Sequence, residues 1–166
     1  MKKYIVTLGA LTLLGAGCAS GTPTPNTPQE ALNPESSCDA LMTLDEAKEI
    51  TGLAYTKRDA TSERLGQIIV TTCTYQDTSL NSNIKPISLL TRRAATAREA
   101  KIIFEQSKTA AYTDGQALSG VGEQGLWSKT FGQVSVLQGQ TWLIVTAMNN
   151  QELATKFAKT IVPKLP

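Results

Sequence analysis

The sequence predicts an α+β domain with an antiparallel sheet of about five strands and three helices, in the order αββαβββα and with the helices mainly on one face. Three observations carry this reading. Two β-branched segments of period two, residues 67–75 and 84–91, lie next to each other; three short strand-like segments follow through glycine turns between residues 125 and 148; and three stretches read as helical, the first and last with caps and stops of their own. Strands joined by tight turns pair antiparallel, and helices then pack against such a sheet.

The first helix starts at Thr43. With Glu46 three residues on, Thr43 makes a capping box; Asp45 adds negative charge at the helix start, and Gly52 supplies a left-handed stop. Leu44, Ala47 and Ile50 fall on one face. Residues 57–66 are polar and charged and read as a loop. In the strand at 67–75, Ile69, Thr71, Cys73 and Tyr75 share a face opposite Ile68, Val70 and Thr72. A turn cluster covers residues 77–83, and Pro86 confines its part of the next strand to an edge or an entrance. Residues 94–108 are helical by composition, with Ala97, Ala100, Ile103, Phe104 and Ser107 near the 3.6 period. After a glycine-rich loop come strands at about 125–131, 133–138 and 140–148, with Gly132 and Gly139 at the turns between them. In the last of these, Trp142, Ile144, Thr146 and Met148 share one face and Leu143, Val145 and Ala147 the other, so both faces are apolar. Asn149 is placed to cap the last helix with Glu152 at its third position; Leu153, Ala154, Phe157, Ala158 and Ile161 line the inward face, and Pro163 ends it.

At 166 residues and 41% hydrophobic, the chain is long enough for one domain with a real core. Met1, Lys2 and Lys3 precede an uncharged run to Gly17 that is too short to span a bilayer and has the form of a secretory signal. Removing residues 1–17 takes two lysines from the sixteen basic residues and leaves fourteen against fourteen acidic ones, a net charge of zero. A neutral domain has no electrostatic reason to bind nucleic acid. There is no histidine, which excludes Ser-His-Asp and Cys-His catalysis and every His-ligated metal site.

Leu14, Gly15, Ala16, Gly17 and Cys18 resemble the lipobox of bacterial lipoproteins, with Gly15 standing where that family usually has Leu. The resemblance implies a signal peptide over residues 1–17 and a lipid on the Cys18 thiol. An ordinary secretory signal would instead leave Cys18 free or bridged. Residues 18–37 then form an acylated cysteine and a disordered Pro/Thr tether, because Pro23, Pro25, Pro28, Pro34 and their polar neighbours bury too little to offset ordering entropy. Residues 38–166 form the single folded domain. With Cys18 acylated, Cys38 and Cys73 remain, and an even pair on the oxidising side of a membrane reads as a disulfide. A catalytic or metal-binding thiol pair would need CxxC spacing or further ligands nearby, and the sequence supplies neither.

Four motifs invite stronger chemistry. Gly120 to Gly125 spell GxGxxG, but polar loop precedes them and a strand at Leu126 and Trp127 follows, whereas a dinucleotide site needs a strand before and a helix after. Ser128 and Lys129 adjoin on a strand, where neighbours point to opposite faces and share no proton. Arg92, Arg93 and Arg98 read as a solvated basic surface, with an acidic partner or anionic headgroups as the functional alternative. Trp127, Phe131 and Trp142 read as strand packing; Trp127 and Trp142 are also the candidate ligand-binding residues, placed beneath loops 57–66 and 109–124 as the only segments free to cover the second sheet face.

The chain also resembles small lipoproteins, common in actinobacteria, that carry a domain of unknown function. The resemblance rests on the anchor cysteine and tether, on Cys38-Asp39 leading through Leu41 and Thr43 into a helix, on Cys73-Thr74-Tyr75 in a strand, and on the turn Gly120-Val121-Gly122-Glu123. It covers nearly all of the mature chain and implies the bridge between Cys38 and Cys73, the fold and the location, but no activity. Tyr75 stands where that family usually has Trp. The functional expectation is a non-enzymatic protein- or ligand-binding module, lipid-anchored to the cell membrane or outer membrane on its extracytoplasmic side, without cofactor or metal. Its partners are the membrane through Cys18 and an envelope protein or lipid ligand, with no nucleic acid. The alternative is a carrier that holds a lipid or other hydrophobic small molecule in a cavity between sheet and helices.

Overall fold

A computed structural model describes residues 32–77 and 85–166. The expectations for residues 1–17, for Cys18, for most of the tether and for nearly all of the turn cluster at 77–83 lie outside the described residues. The elements are α1 (Pro34–Leu41), α2 (Leu44–Thr51), β1 (Lys57–Leu65), β2 (Ile68–Gln76), β3 (Ile87–Arg93), α3 (Ala97–Ala110), β4 (Gln116–Leu118), β5 (Gln124–Ser128), β6 (Gln133–Gln138), β7 (Thr141–Ala147) and α4 (Gln151–Ile161), followed by a 3-10 turn at Val162–Lys164. The fold class is α+β with an antiparallel sheet, and the three expected helices are present as α2, α3 and α4. The sheet has seven strands in the order β1-β2-β3-β7-β6-β5-β4, two more than expected.

The additional strands are the two edges. Residues 57–66, expected as a loop, are the nine residues of β1 and the start of its turn, paired with β2 from Lys57 opposite Gln76 to Leu65 opposite Ile68. Charge on β1 marks an edge strand, where it discourages pairing with other chains, and does not argue against a strand. The turn has two residues, Gly66 and Gln67; Gly66 takes φ 63°, the positive value that a glycine-first hairpin turn requires. At the other edge, β4 is only three residues long and pairs with β5.

Residues 34–37, expected as tether, open α1. Asn33 accepts a hydrogen bond from the Ser36 N–H at 3.1 Å, Pro34 occupies the first turn and Glu35 adds an acid there. The same proline that suggested coil is favourable at this one helical position, where the N–H it lacks has no partner to lose. The folded unit is therefore Leu32–Pro166. At α4 the cap is Asn150 and not Asn149: Asn150 accepts from the Leu153 N–H at 3.0 Å, while Met148 and Asn149 make a left-handed turn at φ 53° and 55°.

Side-chain alternation divides the core in two. Cys73, Tyr75, Ile87, Leu89, Val134, Val136, Leu143, Val145 and Ala147 face α1, α2 and α4, meeting Leu41, Met42, Ala47, Phe157 and Ile161. On the opposite face Leu126, Leu137 and Trp142 meet Ala94, Ala100, Phe104 and Tyr112 on and around α3. Helices thus lie on both faces, three against one. Of the two apolar faces expected for β7, the one with Leu143, Val145 and Ala147 is fully buried, while on the other Trp142 is buried and Ile144 and Thr146 are half-buried.

The α1 helix is fastened to β1 and β2. Cys38 and Cys73 form a disulfide with Cα atoms 5.7 Å apart, and the Tyr75 hydroxyl donates to the Met42 carbonyl at 2.5 Å. Arg58, one-tenth exposed, bridges Asp39 and Glu35, the latter at 2.7 Å. The Asp39 carboxylate in turn raises the Arg58 pKa above its ordinary value, and desolvation raises that of Tyr75. Because the bridge closes a loop with a sequence separation of 35, its removal by Cys38→Ala with Cys73→Ala is expected to lower stability by roughly 3–4 kcal/mol. Urea denaturation measures the loss; an unchanged midpoint would mean that the bridge does not restrain the unfolded chain.

Candidate functional site

The site that stands out is a groove between the β1–β2 hairpin and α3. It is lined by Leu65, Gln67, Ile68, Glu99, Ile102 and Ile103 and encloses about 260 Å³. Its walls follow from local structure. The two-residue turn brings Leu65 directly opposite Ile68 at the hairpin end. Thr96 caps α3 by accepting from the Glu99 N–H at 3.2 Å, while the Glu99 carboxylate accepts from the Thr96 N–H at 3.2 Å, which fixes Glu99 at the groove rim. Ala100 and Phe104 turn into the core, leaving Ile102 beyond the buried stripe and Ile103 at its margin. Leu65 is 56% and Ile102 46% exposed, an unfavourable disposition for two large apolar side chains that line one groove.

A second depression, on the side of α4, is lined by Leu118, Gln151, Glu152, Thr155, Lys156 and Lys159. Its charged rim is partly self-paired, Lys156 bridging Glu152 at 3.2 Å along the helix. A surface i,i+4 pair of this kind is ordinary helix chemistry.

Trp127 and Trp142 do not line one surface. Trp127, opposite Val134, faces the main core; Trp142, opposite Leu137, faces α3. Both are buried, at 6% and 3% exposure. The Trp142 indole N–H donates to Ser135 Oγ at 2.7 Å, its ring lies edge-on to Phe104 and Tyr112, and the Arg92 guanidinium sits 4.7 Å above it. The main covering segment is α3, joined by Tyr112 from segment 109–124, whereas residues 57–65 are strand β1 and take no part in that cover. Arg92 is thereby committed to Trp142, whereas Arg93 and Arg98 are exposed.

The glycine motif has a packing account. Val121 is buried in the core, and a Cβ on Gly122 would lie 2.4 Å from a Val136 methyl and 2.7 Å from the Leu137 carbonyl oxygen, so the turn presses against β6. The chain continues from there into β5 and not into a helix. Ser128 donates to Asp114 at 2.7 Å and Asp114 also accepts from the Thr130 N–H at 2.8 Å, an arrangement that closes the β5–β6 turn. No group of three or more metal-ligating side chains occurs, and no helix is long and apolar enough to cross a membrane, among the described residues.

The groove residues Leu65, Glu99, Ile102 and Ile103 were not singled out as a site from sequence. The available signal was Ile102, an apolar residue beside the Ala100–Phe104 stripe with no inward position of its own, and Leu65, which ends a charged segment immediately before a turn glycine.

Hydrogen bonds from the Thr130 N–H and the Ser128 hydroxyl pull the Asp114 pKa from 3.8 down to about 2. A folded-state pKa below the unfolded one stabilises the fold above the unfolded value and loses that stabilisation as pH falls through the folded value. Thermal melts are therefore expected to show a loss from about pH 4 toward pH 2 that Asp114→Asn diminishes; identical pH profiles for the two proteins would contradict this role. In the comparisons with known proteins, the chain matches no family model, no curated protein and no solved structure.

Proposed function

We propose that the protein is a lipid-anchored cell-envelope protein, attached through Cys18 on the extracytoplasmic side, whose folded domain is a non-enzymatic binding module. The observation that carries the binding role is the convergence of exposed Leu65 and Ile102 on one groove. The lipobox-like segment ending at Cys18 supports the anchor, and the Cys38–Cys73 bridge suits an oxidising compartment. The serine of the Ser128–Lys129 pair is engaged in folding: Ser128 is buried and bonded to Asp114. The bond gives Ser128 a carboxylate acceptor but no access to a substrate, so binding is the role the surface favours.

Two measurements test this reading. Cys18→Ser is expected to shift the protein from the membrane to the soluble fraction or to block its processing, and unchanged detergent partitioning would remove the anchor. A photo-crosslinking residue at position 65 or 102 is expected to form an adduct in intact cells, and one at position 159, exposed on α4, is not; absence of adducts at 65 and 102 would remove the groove as the binding surface.

A further inference from the structure

We propose that the lipid on Cys18 also guards the pairing of the other two cysteines: diacylglyceryl transfer to Cys18 precedes thiol oxidation, so that an oxidase meets a chain in which Cys38 has only Cys73 to pair with. This rests on the reading of Cys18 as the anchor and gives its modification a place in a reaction sequence. The cysteines of the chain stand at 18, 38 and 73. The fold uses the more distant pair, separated by 35 residues, and buries both members fully. Cys18 and Cys38 are only 20 residues apart. In an unfolded chain the shorter ring closes about twice as readily.

The fold makes that contest consequential. The Cys38 sulfur lies 3.7 Å from the Thr72 carbonyl oxygen, between α1 and β2, and has no exposed surface. A disulfide to Cys18 would need a second cysteine within about 7 Å of Cys38, Cα to Cα, in the place that Cys73 fills, or would draw Cys38 out and undock α1. The wrong bridge and the native packing of α1 therefore exclude each other. Cys73 sits on β2 between β1 and β3, and the core that receives it includes Val145 of β7 and Phe157 of α4. Structure holds the native pair together only when the chain as far as Phe157 is available. A chain exported from an N-terminal signal presents Cys18 and Cys38 before Cys73, so Cys38 first meets the wrong partner. After folding, the bridge is enclosed and α1 is held further by Arg58 and Tyr75, which denies access to a competing thiolate. The interval before folding is the one that early alkylation closes.

The two steps balance separately. In the alkylation the Cys18 sulfur displaces the oxygen leaving group of a diacylglyceryl donor: a C–S bond forms, a C–O bond breaks, and the thiol proton leaves with the released oxyanion. No electrons change hands. In the oxidation Cys38 and Cys73 together give two protons and two electrons to the disulfide of a thiol oxidase, which becomes a dithiol. Exchange runs through a thiolate, and a thioether cannot supply one. In the reverse order Cys18 stays a thiol while Cys38 is still open, and the few per cent of thiolate that a free cysteine carries at pH 7 is enough for attack.

The test is non-reducing peptide mapping of the exported chain, with free thiols blocked in acid at intervals after a pulse of synthesis. Three forms are compared: the native chain, the chain from Cys18 onward behind a secretory signal without the lipobox-like segment, and that second form carrying Cys18→Ser. In the native chain every Cys38–Cys73 species is expected to carry the lipid mass on Cys18. The unlipidated form is expected to show a Cys18–Cys38 species early, at about twice the level of Cys38–Cys73. Cys18→Ser is expected to restore Cys38–Cys73 as the sole intramolecular bridge. A Cys18–Cys38 species that never reaches the Cys38–Cys73 level in the unlipidated form overturns the guarding role, and so does a native chain bridged at Cys38–Cys73 while Cys18 is still a free thiol. The two readings fail separately: a native chain whose Cys18 never gains a lipid overturns the anchor and the guarding together, whereas a lipidated chain that gives either contrary result keeps the anchor and loses the guarding alone.

Discussion

The central strand β7 must be buried on both faces, and the layout of the molecule follows from that requirement. Leu143, Val145 and Ala147 point to one side and Trp142 and Ile144 to the other, so a single helical layer would leave half of the strand in water. Three helices cover the first side. Only α3 is available for the second, and its fourteen residues, about 21 Å of helix, shield the end of the sheet built from β5, β6 and β7. On the same face, β1 to β3 present Thr61, Val70, Thr72, Thr74, Ser88 and Leu90, which are half-buried or exposed and mostly hydroxyl-bearing. The groove is the boundary between the covered and the uncovered part of one sheet face.

The N-terminal helix solves a different problem. At eight residues α1 is too short to be stable by propensity, and its stability has to come from tertiary contacts. The disulfide to β2, the Arg58 pairs to Glu35 and Asp39 and the Tyr75–Met42 hydrogen bond supply three such contacts within one helix length. Lys164 extends the set, reaching the Leu41 carbonyl at 3.1 Å and the Glu46 carboxylate at 2.6 Å, so the C-terminal segment ties down the end of α1 and the start of α2 together. The Lys164 ammonium and the Thr43 N–H hold the Glu46 carboxyl below its ordinary pKa. Contacts of this density make Leu32–Pro166 behave as one body whose first helix is pinned at the end of β1 away from the groove.

Elements with strong local signals were legible in the sequence: the Thr43–Glu46 capping box, the alternation of β2 and β7, the turns at Gly132 and Gly139 and the Cys38–Cys73 pair all have a cause within a few residues or in cysteine count. What was not legible depended on position in the sheet. Residues 57–65 alternate only weakly, because an edge strand has one side chain in two against the core and spends several of those on polar roles: Arg58 on two carboxylates, Ser62 on the Thr71 hydroxyl at 3.0 Å. The side taken by α3 is a tertiary outcome; nothing within Ala97–Ala110 says which sheet face its stripe will meet. The groove inherits both uncertainties, since its walls are the tip of the misread strand and the outer margin of α3. Trp127 and Trp142 drew attention as large aromatics, but strand parity, readable once registers are known, sends them to opposite faces.

The chemistry that the groove carries is set by what the fold leaves unsatisfied. Glu99 is fully used in its cap, Arg92 is stacked on Trp142, and Asp114 and Ser128 satisfy each other, so the polar groups with structural duties are withdrawn from function. Arg93, Arg98 and Lys101 have no such duty among the described residues, and Leu65 and Ile102 remain in water although a polar residue at either position would cost the core nothing. Single exposed apolar residues are common, but the exposed pair here shares a concave surface. Burial of both side chains against an apolar surface would recover roughly 1.5–3 kcal/mol at most, given that about half of each is already covered. A contact of that size is too weak to hold two free molecules together, and it would suffice to orient a domain that the proposed lipid anchor keeps in place.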